Sequence, residues 1–181
     1  MPTLLDQLVD GPAWARGHSA RVAAQAISQP GLVDELFDGL ADDHAGIRNR
    51  AARALEEVSR SRPDLLLPYK RELLTRVWRI EHWIVRSHLC RMLPRLGLNA
   101  TERRRALALA HAWLRDGTIV VQADALECIV RLSTAPGIAD GPAAAARLVE
   151  ECAAHGGSPA VRARARILRK HLAKLARTVP S

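Results

Sequence analysis

A short motif recurs along this 181-residue chain at intervals that suit a helical repeat. In its clearest copies an isoleucine or valine precedes an arginine, and apolar or small residues follow three and six positions after that arginine. The aligned positions are Arg16, Arg48, Arg86, Gln122 and Arg162, and their spacings are 32, 38, 36 and 40 residues. A period of this size indicates a stacked array of supersecondary units.

The apolar columns of the motif predict one buried face on a helix, because their steps of three and four match the helical period. A second helical segment precedes each of the later four copies, so the unit is helix A, a short turn and helix B. No stretch alternates with period two over enough residues to indicate a sheet. The sequence predicts an all-α protein, a single domain over residues 1–181, with repeats at about 2–30, 31–62, 63–97, 98–136 and 137–178.

Two local patterns resemble the HEAT-repeat family of α-solenoids. In the first, Asp42 is followed by Ile47 and Arg48 and then by Ala-Ala-x-Ala-Leu at 51–55; the second is Pro-Asp-Leu-Leu-Leu-Pro-Tyr at 63–69. The resemblance covers roughly residues 10–176. It implies an armadillo/HEAT-like superhelix of about five helix pairs, in which B helices line the concave side. Armadillo-like and other HEAT-like repeats remain alternatives.

The resemblance also implies a role for the arginine column. In HEAT-like stacks this arginine pairs with an aspartate near the turn between helices A and B. Asp42, Asp43 and Asp116 are the carboxylates that we expect to serve here.

The reactive side chains of the sequence form no pattern typical of a catalytic or metal site. Three cysteines, Cys90, Cys128 and Cys152, are an odd number without close pairing, which argues against a disulfide framework. No His-x-x-x-His or Cys-x-x-Cys pair indicates a metal, and no glycine-rich phosphate loop or Gly-x-Ser-x-Gly occurs. We therefore predict no cofactor, no metal and no catalytic residue.

Charge and hydropathy bound the partners and the compartment. No signal peptide and no membrane span are visible, so we expect a cytoplasmic protein. The net charge is +8, and residues 158–181 carry seven basic and no acidic side chains. A basic protein attracts polyanions, although the same charge also simply keeps a protein soluble.

The helix B face opposite the core columns is the predicted binding surface. It lies two, five and nine positions after the arginine column, and neighbouring B helices lie ~10 Å apart. We expect its cationic residues to form one solvated stripe, with a tryptophan that is partly exposed at the start of the third B helix. The alternative is an ordinary solvated charged face. The candidate binding residues are Arg50, Arg53, Trp83, His88, Arg91, Arg95 and Arg164.

These observations favour a non-enzymatic module that binds a protein or peptide on the concave B-helix face. The alternative is nucleic-acid binding through the basic stripe. That alternative includes an enzyme resembling the DNA-alkylation-repeat glycosylases, which are HEAT-like and hold a cleft of tryptophan and aspartate. A HEAT-like lyase acting on a tetrapyrrole-bearing protein has no support beyond the repeat. The candidates for a glycosylase cleft are Trp83, Trp113, Asp116 and Asp124.

Overall fold

The computed structural model describes residues 3–12, 15–135, 138 and 140–178. Within these residues every regular element is a helix and no β-strand occurs, which confirms the all-α prediction. The chain divides into two compact units, Met1–Asn99 and Ala100–Ser181. The single domain over residues 1–181 stays a prediction, because the compactness of each unit does not establish that it folds alone.

The first unit contains five α-helices joined by short 3-10 segments. The α-helices are α1 (Ser19–Ser28), α2 (Val33–Gly39), α3 (Ala45–Ser61), α4 (Lys70–Leu73) and α5 (Trp83–Met92). The 3-10 segments are Asp6–Leu8, Pro30–Leu32, Pro63–Tyr69, Val77–Arg79 and Leu93–Arg95. The sequence predicts a helix A from about Pro63 to Ile80 with a short first turn and a kink at Pro68, and the structure divides this stretch into Pro63–Tyr69, α4 and Val77–Arg79. Pro68 inside the first piece lacks the backbone N–H group that a regular helix needs.

Helix α3 is the centre of the first unit and packs against α1, α2 and α5. Its core columns hold Ile47, Ala51 and Ala54, all of which are buried. Small residues at these positions allow neighbouring helices to approach closely. Val85 on α5 is fully buried as well. The burial predicted from the repeat is thereby confirmed for α3 and α5.

The second unit contains four α-helices around α7. They are α6 (Ala100–Trp113), α7 (Ile119–Ser133), α8 (Gly141–His155) and α9 (Pro159–Thr178). Helix α7 packs against α6, α8 and α9, and its Leu126 and Val130 join Val149 and Ala165 in a buried cluster. The Ser158 hydroxyl caps α9 by accepting the Val161 N–H at 3.2 Å, as the Ser-Pro pair predicts.

The repeat column has a shared structural role in four of its five copies. Each side chain donates a hydrogen bond to the backbone carbonyl six residues earlier, in the turn between helices A and B. The bonds run from Arg48 to Asp42 (2.6 Å), Arg86 to Ile80 (3.3 Å), Gln122 to Asp116 (2.6 Å) and Arg162 to Gly156 (2.6 Å). The prediction that aspartate carboxylates serve as the partners is wrong at Arg48 and Gln122, since the main-chain oxygens of Asp42 and Asp116 accept these bonds. The side-chain amide N–H of glutamine reaches such a carbonyl oxygen as well as a guanidinium does, which explains why Gln122 can stand in the arginine column.

The first copy of the motif departs from this geometry. Its predicted helix starts at Trp14, which lies outside the described residues, and α1 begins only at Ser19. Gly17 takes a positive φ of 49°, a conformation that glycine adopts without steric cost. Arg16 therefore lies in a turn before the helix.

None of the helices that the structure describes is long and apolar enough to cross a membrane.

Candidate anion-binding cleft

Arg50 is the first candidate residue whose position differs from the prediction. It is only 1% exposed, and its guanidinium lies inside a cage of backbone carbonyls. The acceptors are the carbonyl oxygens of Leu8 (2.5 Å), Val9 (3.4 Å), Gly11 (2.9 Å), Pro12 (2.7 Å) and Ala15 (3.3 Å). The prediction of a solvated Arg50 is wrong, because the segment before α1 covers this side of α3. The helical phase alone does not reveal that cover.

Glu56 on α3 is a buried carboxylate that the sequence analysis did not single out. It is 3% exposed and accepts hydrogen bonds from His88 Nδ1 at 2.7 Å and Arg60 Nη2 at 2.6 Å. Arg95 approaches it at 3.4 Å and also donates to the Ser59 hydroxyl at 2.8 Å. His88 is 4% exposed, so its predicted place on a solvated stripe is wrong. An acidic residue beside the apolar columns, with His88 and Arg95 in the next repeat, is the sequence signal for this cluster.

The ionisation of Glu56 follows from these partners. Burial by itself would raise the pKa of the carboxyl, because it disfavours the charged form. The hydrogen bonds from His88 and Arg60 outweigh burial and lower the pKa of Glu56 to about 2. Glu56 is therefore a permanent anion near neutral pH, and its role is to hold the surrounding basic side chains in position.

Arg53 lies on α3 next to this cluster and differs from the other arginines in its surroundings. It is half-buried, and its guanidinium makes no hydrogen bond or ion pair with the described residues. Burial lowers its pKa, and the charges of Arg16 and Arg91 lower it further, against the opposing effect of Glu56. A partly desolvated cation beside two like charges is electrostatically unfavourable until an anion joins it.

A cavity of about 270 Å³ opens over Arg53 in the first unit. Its wall comes from the turn before α1, the first turn of α1, and side chains of α3 and α5. This Arg53 cleft is lined by Arg16, Gly17, Ser19, Ala20, Arg53, Glu56, Glu57, Arg60 and Arg91. Of the predicted binding residues, the structure thus brings Arg53 and Arg91 together. Arg16 and Arg60 are additions that the sequence analysis did not place there.

The beginning of α1 adds to the positive character of the Arg53 cleft. The N-cap residue His18 makes no side-chain hydrogen bond to the helix, and Ser19 and Ala20 both line the cleft. The first turn of a helix carries the positive end of its dipole. The Ser19 N–H itself already donates to the Arg16 carbonyl oxygen at 3.3 Å. The cations remain the main feature of the cleft, and the helix end reinforces them.

The remaining two candidates of the stripe are found in different settings. Trp83 is 44% exposed, which confirms its partial exposure. Arg164, in the second unit, forms an ion pair with Glu127 and approaches Asp124 at 3.8 Å. Burial would raise the pKa of Glu127, but Arg131 and Arg164 lower it below its ordinary value. Arg164 is therefore engaged by carboxylates of its own unit.

The candidates for a glycosylase cleft in the second unit are poorly placed to meet a base. Trp113 is 4% exposed and Asp124 is 2% exposed, so neither presents its side chain to solvent. The Asp116 carboxylate accepts the backbone N–H of Thr118 at 2.8 Å within its turn. These side chains stabilise local structure.

The second unit also contains an apolar groove of about 470 Å³ between α8 and α9. Val149, Leu172 and Leu175 are among its lining residues, and a single ion pair, Arg169 to Glu150 at 3.6 Å, lies at its edge. No set of polar groups converges on it that would fix the orientation of a ligand.

In the described part of the chain, no group of three or more histidines, cysteines or acids is arranged to hold a metal ion. All three cysteines are buried and none of them forms a disulfide, and burial raises the pKa of Cys152.

The chain matches no known protein-family model, no curated protein and no solved structure.

Proposed function

We propose that this protein is a non-enzymatic, HEAT-like interaction module that binds an acidic segment of a partner protein in the Arg53 cleft. The observation that carries the proposal is the half-buried guanidinium of Arg53, which lies near Arg16 and Arg91 with no carboxylate paired to it. The recurring bond from the repeat column to a carbonyl six residues earlier supports the repeat architecture. Helices α1, α3 and α5 are the predicted B helices, and the residues that each of them contributes to the cleft support the proposed B-helix surface.

A compact anion is a better match for this surface than a long nucleic acid. Nucleic-acid binding gains affinity from many phosphate contacts, each made by a solvent-facing cation. Arg50 is buried in a carbonyl cage, Arg95 is bonded to Glu56 and Ser59, and Arg164 is paired with Glu127. Three of the stripe's cations are thus already bonded within the protein. The cations around Arg53 form a local cleft, in which Arg60 and Arg91 also contact Glu56.

The non-enzymatic part of the proposal rests on where the potential acid–base pair lies. A histidine bonded to a carboxylate is a common general acid–base arrangement. Here the pair is His88 and Glu56; Glu56 lines the cleft but is only 3% exposed, and His88, at 4% exposed, is not among the lining residues. A catalytic base must reach the proton that it removes, and His88 is not placed to do so. The Glu56 and His88 pair is instead placed to hold the neighbouring arginine side chains, Arg60 and Arg95, in position.

The proposal is tested by fluorescence anisotropy with a labelled octaglutamate peptide, an octaglutamine control and a labelled DNA duplex. We expect the protein to bind octaglutamate more tightly than octaglutamine, with an affinity that falls as salt rises. Arg53→Gln removes a charge-assisted bond worth about 1.5–3 kcal/mol, so it weakens binding roughly tenfold or more. Arg79→Gln is the matched control, because Arg79 is exposed and lies outside the cleft.

Two results would contradict the proposal. One is equal weakening by Arg53→Gln and Arg79→Gln, which would reduce the effect to overall charge. The other is DNA binding that is tighter than peptide binding and unaffected by Arg53→Gln, which would favour the nucleic-acid alternative.

A further inference from the structure

We propose that the Arg53 cleft is a phosphate site that recognises one phosphorylated side chain of the partner protein. This inference rests on the proposed function and names the chemical group that the cleft selects. Phosphoserine, phosphothreonine and phosphotyrosine carry a charge of about −1.5 to −2 at pH 7 and three strong acceptor oxygens. A run of carboxylates offers single charges on planar groups. The charge balance of the cleft, and the three separate elements that supply its cations, favour the phosphorylated side chain.

The charge balance of the cleft leaves two cations without a carboxylate. Its six charged side chains are four arginines and two glutamates. Arg60 is bonded to Glu56 at 2.6 Å and approaches Glu57 at 3.4 Å. Arg91 approaches Glu56 at 3.7 Å, and His88 is bonded to the same carboxylate. Within the described residues, the guanidiniums of Arg16 and Arg53 have no carboxylate partner. Two such positive charges complement a dianion.

Three separate elements of the first unit supply cations to the cleft. Arg16 precedes α1, Arg53 lies on α3 and Arg91 lies on α5, where it also approaches Glu56 at 3.7 Å. A phosphate monoester directs its three terminal oxygens in three directions, and each accepts a fork of guanidinium N–H donors. The first turn of α1, at Ser19 and Ala20, adds the positive end of the helix dipole on one side of the cleft. A planar carboxylate uses only part of this donor set.

The Arg53 cleft lowers the stability of the unliganded protein, and binding of an anion would relieve this destabilisation. Arg53 is held partly out of water beside Arg16 and Arg91, and these like charges repel one another. Folding alone gains little from such an arrangement, and binding sites commonly sacrifice stability for function. Removing the Arg53 charge should therefore stabilise the unliganded protein and, at the same time, remove the response to phosphate. A purely structural arginine would behave in the opposite way.

The first measurement is thermal unfolding of the full chain in chloride, sulfate and inorganic phosphate at equal ionic strength. We expect phosphate to raise the Tm of the parent more than sulfate or chloride does, by a few degrees at tens of millimolar. Arg53→Gln should raise the Tm in chloride and abolish the extra increase in phosphate. Arg79→Gln should leave the parent's phosphate response intact. A phosphate response that survives Arg53→Gln overturns the proposed site.

The second measurement separates this inference from the proposed function. Three peptide libraries with randomised flanks carry phosphoserine, glutamate or serine at a fixed central position, and binding is followed by anisotropy. We expect the phosphoserine library to bind at least tenfold more tightly than the glutamate library. Equal binding of both acidic libraries overturns the phosphate inference and leaves the proposed function standing. Binding of neither library, or tighter binding of duplex DNA than of the phosphoserine library, overturns both.

Discussion

The Arg50 guanidinium donates a hydrogen bond to the Leu8 carbonyl oxygen across 2.5 Å, and both residues are buried. The two residues are 42 positions apart in the chain, so this bond ties the N-terminal segment to the central helix of the first unit. A buried guanidinium is stable only when its donors are satisfied. Here the backbone carbonyl oxygens of Leu8, Val9, Gly11, Pro12 and Ala15 accept the hydrogen bonds of the guanidinium.

We expect Arg50→Met to destabilise the protein strongly. Methionine keeps the apolar stem of the side chain but leaves the carbonyls of the cage without their donor. Several unsatisfied carbonyls should lower the free energy of unfolding by about 3 kcal/mol or more. The change is measured by urea unfolding. Arg79→Met, at an exposed position, is the control, and similar midpoints for the two variants would contradict the role of the cage.

Gly17→Ala should also weaken the cage. Gly17 has a φ of 49°, and a Cβ added there would lie 2.5 Å from Nε of Arg50. A non-glycine residue in this conformation costs about 1–3 kcal/mol even without a clash. Gly31→Ala is the matched control, because a Cβ at Gly31 meets no atom within 4 Å. We expect a lower Tm for Gly17→Ala than for Gly31→Ala, and the reverse order would exclude this account.

Sequence periodicity predicts which side of a helix is buried against the other helices of its repeat. It correctly identifies Ala51 and Val85 as core residues. The turn at Asp116-Gly117 is predicted by a different signal, the Asp-Gly pair itself, and the structure has a turn there. Periodicity fails at Arg50, because the residues that cover it lie before the first α-helix and are 38 to 42 positions away in sequence for four of the five bonds. Gly11 and Gly17, the two glycines with positive φ that flank this segment, are the sequence features that mark its unusual path.

The sequence predicts which types of residue form the candidate site, but it does not predict every individual residue that lines the cleft. Arg53 and Arg91 share a helical phase in neighbouring repeats, and the structure places both on one cleft. The sequence could not show that Glu56 would take up His88 and Arg95, since this pairing depends on side-chain reach between helices. Which cations remain around the cleft therefore follows from packing, and periodicity alone does not determine it.

The repeat column makes a prediction about substitution. Arg162 donates to the Gly156 carbonyl at 2.6 Å, and glutamine performs the same task in the neighbouring copy at Gln122. Arg162→Gln should therefore stay within about 0.5 kcal/mol of the parent, while Arg162→Leu should cost about 1–2 kcal/mol. Chemical denaturation measures both, with Arg166→Leu on the exposed side of α9 as the control. Equal losses for Arg162→Gln and Arg162→Leu would disprove the carbonyl role.

Acid should destabilise the protein through Glu56. Its pKa is lowered from an ordinary 4.5 to about 2 in the folded state, so the unfolded chain takes up the proton first. The stabilising contribution is present above about pH 4.5 and is lost as the pH falls through about 2, by up to about 3 kcal/mol. Urea unfolding between about pH 2.5 and 6 measures this slope. Glu56→Gln should flatten it, whereas Glu57→Gln, at the more exposed neighbouring acid, should preserve it. If the parent and Glu56→Gln lose stability in parallel over this range, other carboxylates are responsible for acid unfolding, and the His88 and Arg60 bonds do not hold Glu56 ionised.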